Sequence, residues 1–309
     1  MFKISETLKV LSKEDINKFK KNGYIIIRSL FSKEEVDNLV SACQKKNIGD
    51  TLGIADFNSI SLSKKIIDNI RPLLGKNIVY PCLSLSRADD KPINPKVQIK
   101  SEANGRFFHV DSKPDDFNFS VDYGIINTGI YLSDHKNASG GIKLIPGSHK
   151  YRVSKKNQFK YTFIHAFVFL KRLEIFNFFC CLFFGYSVNL DTLPGDFVIW
   201  NTRCHHSGHF RRLKLLNSIS IYPFLENILP DFFFLKEPKS REVILTIYAS
   251  KESPYINNYI ENQIKKERRK NHYLNNENIE KIKKNIASDI TIRNDGYFYW
   301  KHNLNNKNF

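Results

Sequence analysis

Along the first seventy-five residues the apolar positions change period repeatedly. In KEDINKFKK, Ile16 and Phe19 share one helical face. Ser12 stands before this segment with Asp15 three residues on, and Gly23 follows it, so the spacing predicts a capped helix with a glycine stop. YIIIRSLF, residues 24–31, is β-branched and aromatic and predicts a strand. Ser32 and Glu35 repeat the cap-and-partner pattern, and Val36, Leu39 and Val40 supply the apolar stripe of a second helix. A third helix is expected over about 62–74, ending at Gly75.

From about 97 to 149 the pattern becomes short apolar runs separated by Gly, Asn, Asp and Pro, as in GRFFHVD, YGIINTGIYLSD and GGIKLIPGSH. PGDFVIWN (194–201) and SISIYPF (218–224) continue it, which predicts a meandering β core. An insertion of about 151–190 divides the two sets and contains FIHAFVFLKRLEIFNFFCCLFF. Lys171, Arg172 and Glu174 interrupt it, so no uncharged stretch reaches the ~18 residues of a membrane span. The expectation is one or two helices packed on the core, with a hydrophobic lid or a membrane-surface contact as the competing readings. Towards the C-terminus, Ser253 before Pro254 starts a helix, NENIEKIKKNI is another candidate, and GYFYWKH is expected to pack back on the body. No internal repeat or linker interrupts the chain. One main domain with helical extensions is expected, 1–225 forming the core and 226–309 a helical extension.

Composition narrows the class. Of 309 residues, 41% are hydrophobic and 13% aromatic, enough for a core and too many for a disordered chain. Lys and Arg number 48 against 31 Asp and Glu, a formal charge of +17. The surplus is spread along the chain. Its densest cluster, KKERRK at 265–270, lacks a binding motif or neighbouring aromatics, so a solvated helix face is expected and no nucleic-acid partner. The five cysteines form no CxxC pair, and the N-terminus lacks the apolar core of a secretion signal. Both point to a reducing, cytoplasmic setting.

The chemistry gathers in two places. In a strand, positions i and i+2 point to one side, so His109 and Asp111 of FFHVD can reach one metal ion. An imidazole and a carboxylate suit ferrous iron when a second histidine completes a facial set with open positions. About a hundred residues on, the apolar strand FVIW leads into Arg203-Cys204-His205-His206-Ser207-Gly208, which offers that histidine at a strand end.

Together these pieces resemble the phytanoyl-CoA dioxygenase-like family of Fe(II)- and 2-oxoglutarate-dependent oxygenases. The resemblance rests on NGYIIIRSLFSKEEVDNL, FFHVD, GIYLSDHKNASGGIKLIPGSHK, LPGDFVIWNTRCHHSG and SISIYPF, spanning roughly residues 15–225. The third of these, close to the family's IPGSHK hairpin, is the most specific.

The resemblance implies an α+β fold with a mainly β core, a double-stranded β-helix carrying N-terminal helices, a helical insert and C-terminal helices. It implies Fe(II) held by His109, Asp111 and His206, with 2-oxoglutarate and O₂ as co-substrates. The family places its distal histidine ten residues after the GD aspartate, which is Asp196 here. That count selects His206, with His205 as the substitute. The arginine expected eleven residues further on, for the far carboxylate of 2-oxoglutarate, falls on Asn217. Arg211, Arg212 and Lys214 lie nearby; Arg212 and Lys214 share one parity in an extended chain, so either or both can face the pocket, with Arg212 preferred. Gln98, Lys100 and Ser207 are further cofactor-binding candidates. The implied reaction is hydroxylation of a small or lipid/CoA-linked metabolite, possible partners being an apolar or anionic small molecule. The competing readings are a metal- or ligand-binding β-helix without turnover, and a basic interaction protein acting through its C-terminal helices.

Overall fold

The computed structural model describes residues 10–44, 60–81, 84–89, 108–111, 122–150, 155–208, 211–215, 220–221, 223–236, 241–265 and 290–292. The first helix, α1 (Lys13–Asn22), is capped as its sequence requires. The Asp15 amide donates to Ser12 Oγ at 3.1 Å, and the Ser12 amide donates back to the Asp15 carboxylate at 3.1 Å. Gly23 ends it at φ 80. A β carbon there would sit 2.4 Å from both Cys204 Sγ and His149 Nδ1. Glycine is therefore needed for its left-handed backbone and for the close approach to the loop carrying His205 and His206.

β1 (Tyr24–Ile27) follows, then α2 (Lys33–Gln44), whose capping carboxylate does two jobs. Glu35 accepts the Ser32 amide at 2.7 Å. It also takes Lys65 Nζ of α3 (Lys64–Leu74) at 2.8 and 2.9 Å in a buried pair. The cap of one helix thus fastens the next. Gly75 ends α3, as expected.

Two sheets make the body. The larger runs in the order β1, β7 (Phe197–Asn201), β4 (Ile125–Tyr131), β9 (Arg241–Ser250), β2 (Ile78–Tyr80) and β10 (Ile290–Ile292), with β3 (Ser84–Asp89) also pairing β9. The smaller orders β6 (Val188–Asn189), β5 (Ile142–Leu144) and β8 (His206–Gly208). Alternation along the strands sorts the core. Phe197, Ile199, Ile126 and Ile130 turn outward to pack with Leu39, Ile66 and Ile70 of the helices. Val198, Trp200, Tyr131 and Val243 turn inward and meet Ile142 and Leu144 of the small sheet. β4 and β7 are consequently buried on both faces.

Two expectations need correction. Of SISIYPF, expected to continue the β core, the described Ser220 and Ile221 lie outside any strand, and Pro223 opens a helix, α6 (Pro223–Ile228). The slot is taken by β9, paired with β4 from Ile125↔Ala249 to Tyr131↔Val243. The boundary at 225 falls with it, since the chain beyond that point supplies a central strand. The physical reason is length. Ten extended residues can pair with β4, β3 and β2 at once, which no short segment around 220 can do. The C-terminal helix predicted after Ser253 is present as α7 (Ile256–Lys265). NENIEKIKKNI and GYFYWKH lie outside the described residues.

The insertion is a helical hairpin of α4 (Lys155–Lys171) and α5 (Ile175–Phe184), as expected. Leu144 pairs with Val188 on one side and His206 on the other. The chain therefore leaves and rejoins the small sheet at the rung of the candidate ligand.

Candidate metal centre

His206 opens β8 with its ring turned inward, on the same side as Leu144 opposite it. His109 joins the sheet edge through a two-way bridge: its amide donates to the His206 carbonyl at 2.9 Å, and the His206 amide donates back at 3.0 Å. Asp111 is set by its own amide, which donates to the Thr202 carbonyl at 3.1 Å. Two backbone segments distant in sequence, 109–111 and 202–206, are thus tied to one another before any side chain is considered.

The side chains converge. The ligand atoms of His109, Asp111 and His206 all lie within 4.8 Å of one another, the one such group among the described residues. His206 Nε2 is 3.5 Å from Asp111 Oδ2, and His109 Nε2 is 3.9 Å from Asp111 Oδ1. The tautomer of His206 follows from its partner. Nδ1 faces the Cys204 carbonyl at 3.0 Å, and a carbonyl only accepts, so Nδ1 carries the proton and Nε2 keeps its lone pair. Burial pushes the His206 ring down to about 4 against the opposing pull of the Asp111 charge. The ring is therefore neutral at pH 7, the form a metal requires. Asn127 of β4 donates its side-chain amide to Asp111 Oδ2 and orients that carboxylate. Trp200 meets the His206 ring edge-on at a centroid distance of 5.8 Å. The site opens on one side, with His206 buried and the His109 side chain 42% exposed.

The donor set fits ferrous iron: two imidazoles and a carboxylate on one side, with an open side opposite. His205 stands apart from the group. Its amide donates to Ser148 Oγ at 2.9 Å, and Ser148 in turn bonds the Ile145 carbonyl at 2.6 Å. The IPGSH turn thus acts as a brace behind the histidine loop. Asp196 of the GD pair is structural too. It accepts the amides of Ser29 and Leu193, each at 2.9 Å, and Arg28 at 2.6 Å, holding the turn into β7.

The cofactor candidates separate. Arg212 is 1% exposed, its guanidinium 2.6 Å from Asp191 Oδ1. Arg211 goes the other way, to Asp231 at 2.7 Å and over the Phe234 ring at 3.8 Å. Lys214 is exposed. Ser207 is buried on the face opposite His206. Gln98, Lys100 and Asn217 lie outside the described residues.

Asn127 is a site residue that the sequence reading did not single out. Lys143, on the face of the small sheet opposite His206, was not singled out either; it pairs with Ser207 and is fully buried. It donates to the Ile221 carbonyl at 2.6 Å and forms an ion pair with buried Glu226, whose other oxygen accepts the Arg211 amide at 2.9 Å. A lysine flanked by Ile142 and Leu144 was the available signal: in a strand covered on both faces, such a cation must find a buried counter-charge.

No family model matches the chain, and no curated protein does. Among solved structures it is similar to EctD from S. alaskensis with 2-oxoglutarate and 5-hydroxyectoine, at 13% identity over 81% of this chain and 80% of that one, with a TM-score of 0.50. HygX from Streptomyces hygroscopicus with nickel and 2-oxoglutarate bound is 14% identical over 79% and 88%, TM-score 0.46. The non-heme alpha ketoglutarate dependent epimerase SnoN from nogalamycin biosynthesis is 12% identical over 77% and 82%, TM-score 0.46. The likeness to EctD establishes the fold, a double-stranded β-helix with added helices.

Proposed function

We propose that the chain is a non-haem iron oxygenase of the phytanoyl-CoA dioxygenase-like kind, decarboxylating 2-oxoglutarate to succinate and hydroxylating a small or lipid/CoA-linked metabolite. One observation carries the reading: His109, Asp111 and His206 bring two imidazoles and a carboxylate within 4.8 Å, one ring held by Cys204 in the ligating tautomer. Two features add support, the likeness in fold to EctD with 2-oxoglutarate and the helical insertion beside the site.

Iron bound at the three residues supplies the redox chemistry and the open positions that 2-oxoglutarate and dioxygen need. The chain's own part is positional. Asn127 holds the Asp111 carboxylate, and the backbone bridge between His109 and His206 sets the two histidines side by side. Trp200 and Leu144 keep the inner side dry. Arg212 is the proposed partner of the far carboxylate of 2-oxoglutarate, a role suited to a planar guanidinium, and Asp191 already shows a carboxylate docked on it.

The test is succinate release by the full chain with Fe(II) and 2-oxoglutarate. His109→Ala, Asp111→Ala and His206→Ala should each lower release by more than about a hundredfold, with bound iron lost and the far-ultraviolet dichroism unchanged. Full activity in His206→Ala with loss in His205→Ala would reverse the choice of ligand. Arg212→Gln should raise the 2-oxoglutarate KM by about tenfold or more and leave iron binding intact; an unchanged KM would sink that role. A second reading, metal binding without turnover, is favoured by Asn217 standing where the family's arginine is expected. It predicts bound iron and no succinate.

A further inference from the structure

The hairpin of α4 and α5 has its polarity reversed. Facing the body, α4 presents Thr162, His165 and Ala166. Thr162 and Ala166 are buried, and His165 stacks on Tyr186 at a centroid distance of 3.5 Å. The Cys181 thiol of α5 donates to the Thr162 carbonyl at 3.3 Å. Facing solvent, the same helix presents Phe163, Phe167 and Leu170, each at least 40% exposed, and α5 adds Phe176 and Phe179 at 58% and 50%. Of the seventeen exposed large apolar side chains among the described residues, eleven belong to this hairpin. A surface helix of a water-soluble domain shows the opposite arrangement.

The tip repeats the pattern. Leu173 takes a left-handed backbone, φ 60, where Gly or Asn would be the cheaper residue, and holds its side chain 84% exposed. Lys160, Lys171 and Arg172 border the apolar face and are exposed, while the neighbouring acid, Glu174, is occupied by the Asn177 amide at 2.7 Å. Long cationic side chains at the edge of an apolar patch suit a boundary between hydrocarbon and anionic headgroups. α4 spans about 25 Å at 1.5 Å per residue. Among the described residues no helix is long and apolar enough to cross a membrane, so such a helix would lie in the interface.

We propose that the α4–α5 hairpin docks this protein on an anionic lipid membrane surface, with Phe163, Phe167, Leu170, Leu173, Phe176 and Phe179 entering the headgroup–acyl boundary and the flanking cations meeting lipid phosphates. Exposed cations bordering the apolar face suit an anionic lipid phase better than a two-fold dimer, which would bring like charges together. The hairpin springs from the small sheet at the rung of His206. The proposal stands without the oxygenase reading, because its test reads lipid partition and not turnover.

The experiment is co-sedimentation of the full chain with phosphatidylcholine vesicles, with and without phosphatidylserine. The chain should pellet with the phosphatidylserine vesicles, and salt should weaken it. Phe167→Ser with Phe176→Ser should lower the partition coefficient by about tenfold per phenylalanine, with the melting temperature unchanged. Leu173→Trp should be quenched by brominated acyl chains. Absence of pelleting with anionic vesicles overturns the proposal, as does pelleting without quenching at position 173. A dimer in lipid-free solution that the serine variant dissociates, with no vesicle binding, overturns it in favour of an interface between copies.

Discussion

The barrel interior and the α4–α5 hairpin draw on the same apolar residues and use them in opposite senses. Inside the barrel, Leu144 is 0% exposed and packs with Trp200 and Val198, directly opposite the candidate ligand His206. In the hairpin, Leu173 is 84% exposed at the turn. The first region gains from excluding water, which keeps His206 neutral and the carboxylate of Asp111 where Asn127 holds it. The second leaves comparable side chains in water, a cost that a stable fold does not require. Hydrophobicity along the chain is therefore not a record of burial. In this molecule a strongly apolar stretch forms the core in one place and a surface in the other.

The sharpest way to break the comparison is to make one substitution in both regions. Leu144→Ala should cost about 2–5 kcal/mol of unfolding free energy, through lost transfer and a residual cavity. Leu173→Ala should stay within about 0.5 kcal/mol. Denaturant titration of the two variants measures both, and equal losses would refute the contrast.

Next in size is the support of the ligands. Asn127→Ala leaves all three candidate ligand side chains in place but frees Asp111 to rotate. It should weaken iron binding by about 10–100-fold, measured by metal titration, with the fold unchanged. An unaltered affinity would mean that the backbone bridge alone orients the site.

Acid provides the mildest probe, and it touches both regions. Burial pushes His149, behind the histidine loop, and His165, under the hairpin, each down to about 4. Their unfolded rings titrate near the ordinary value of 6.5. Between those limits the unfolded chain holds more protons than the folded one, so stability is full above about pH 6.5 and declines as pH falls towards 4. Melting temperature against pH should show that decline, and His165→Gln should reduce its slope. A flat profile from pH 7 to 5 would contradict the burial of these rings.

Much of the site was legible in the chain. Ser12 with Asp15, Ser32 with Glu35, and the stops at Gly23 and Gly75 are local signals, and local hydrogen bonding realised each one. The i, i+2 relation of His109 and Asp111 likewise needs only an extended backbone. What was not legible depended on pairing across long stretches of chain. SISIYPF and REVILTIYAS both read as apolar, β-branched runs, and nothing within either says which one fills the slot beside β4. Seven paired positions along β4 and six along β3 favoured the second. Asn127 escaped notice for the same reason, since its role exists only once Asp111 is brought to it across the barrel.

By itself, then, the sequence determined the local vocabulary of this protein: capped helices, glycine turns, a β core, and a histidine and a carboxylate two residues apart. Those are consequences of dihedral preference and short-range hydrogen bonds, which a few neighbouring residues decide. Only the tertiary structure decided that β9 closes the sheet, that Asn127 meets Asp111, and that the aromatic insertion points outward. Each of these is a choice between surfaces of similar local energy, and it is settled by which partner the rest of the fold places opposite.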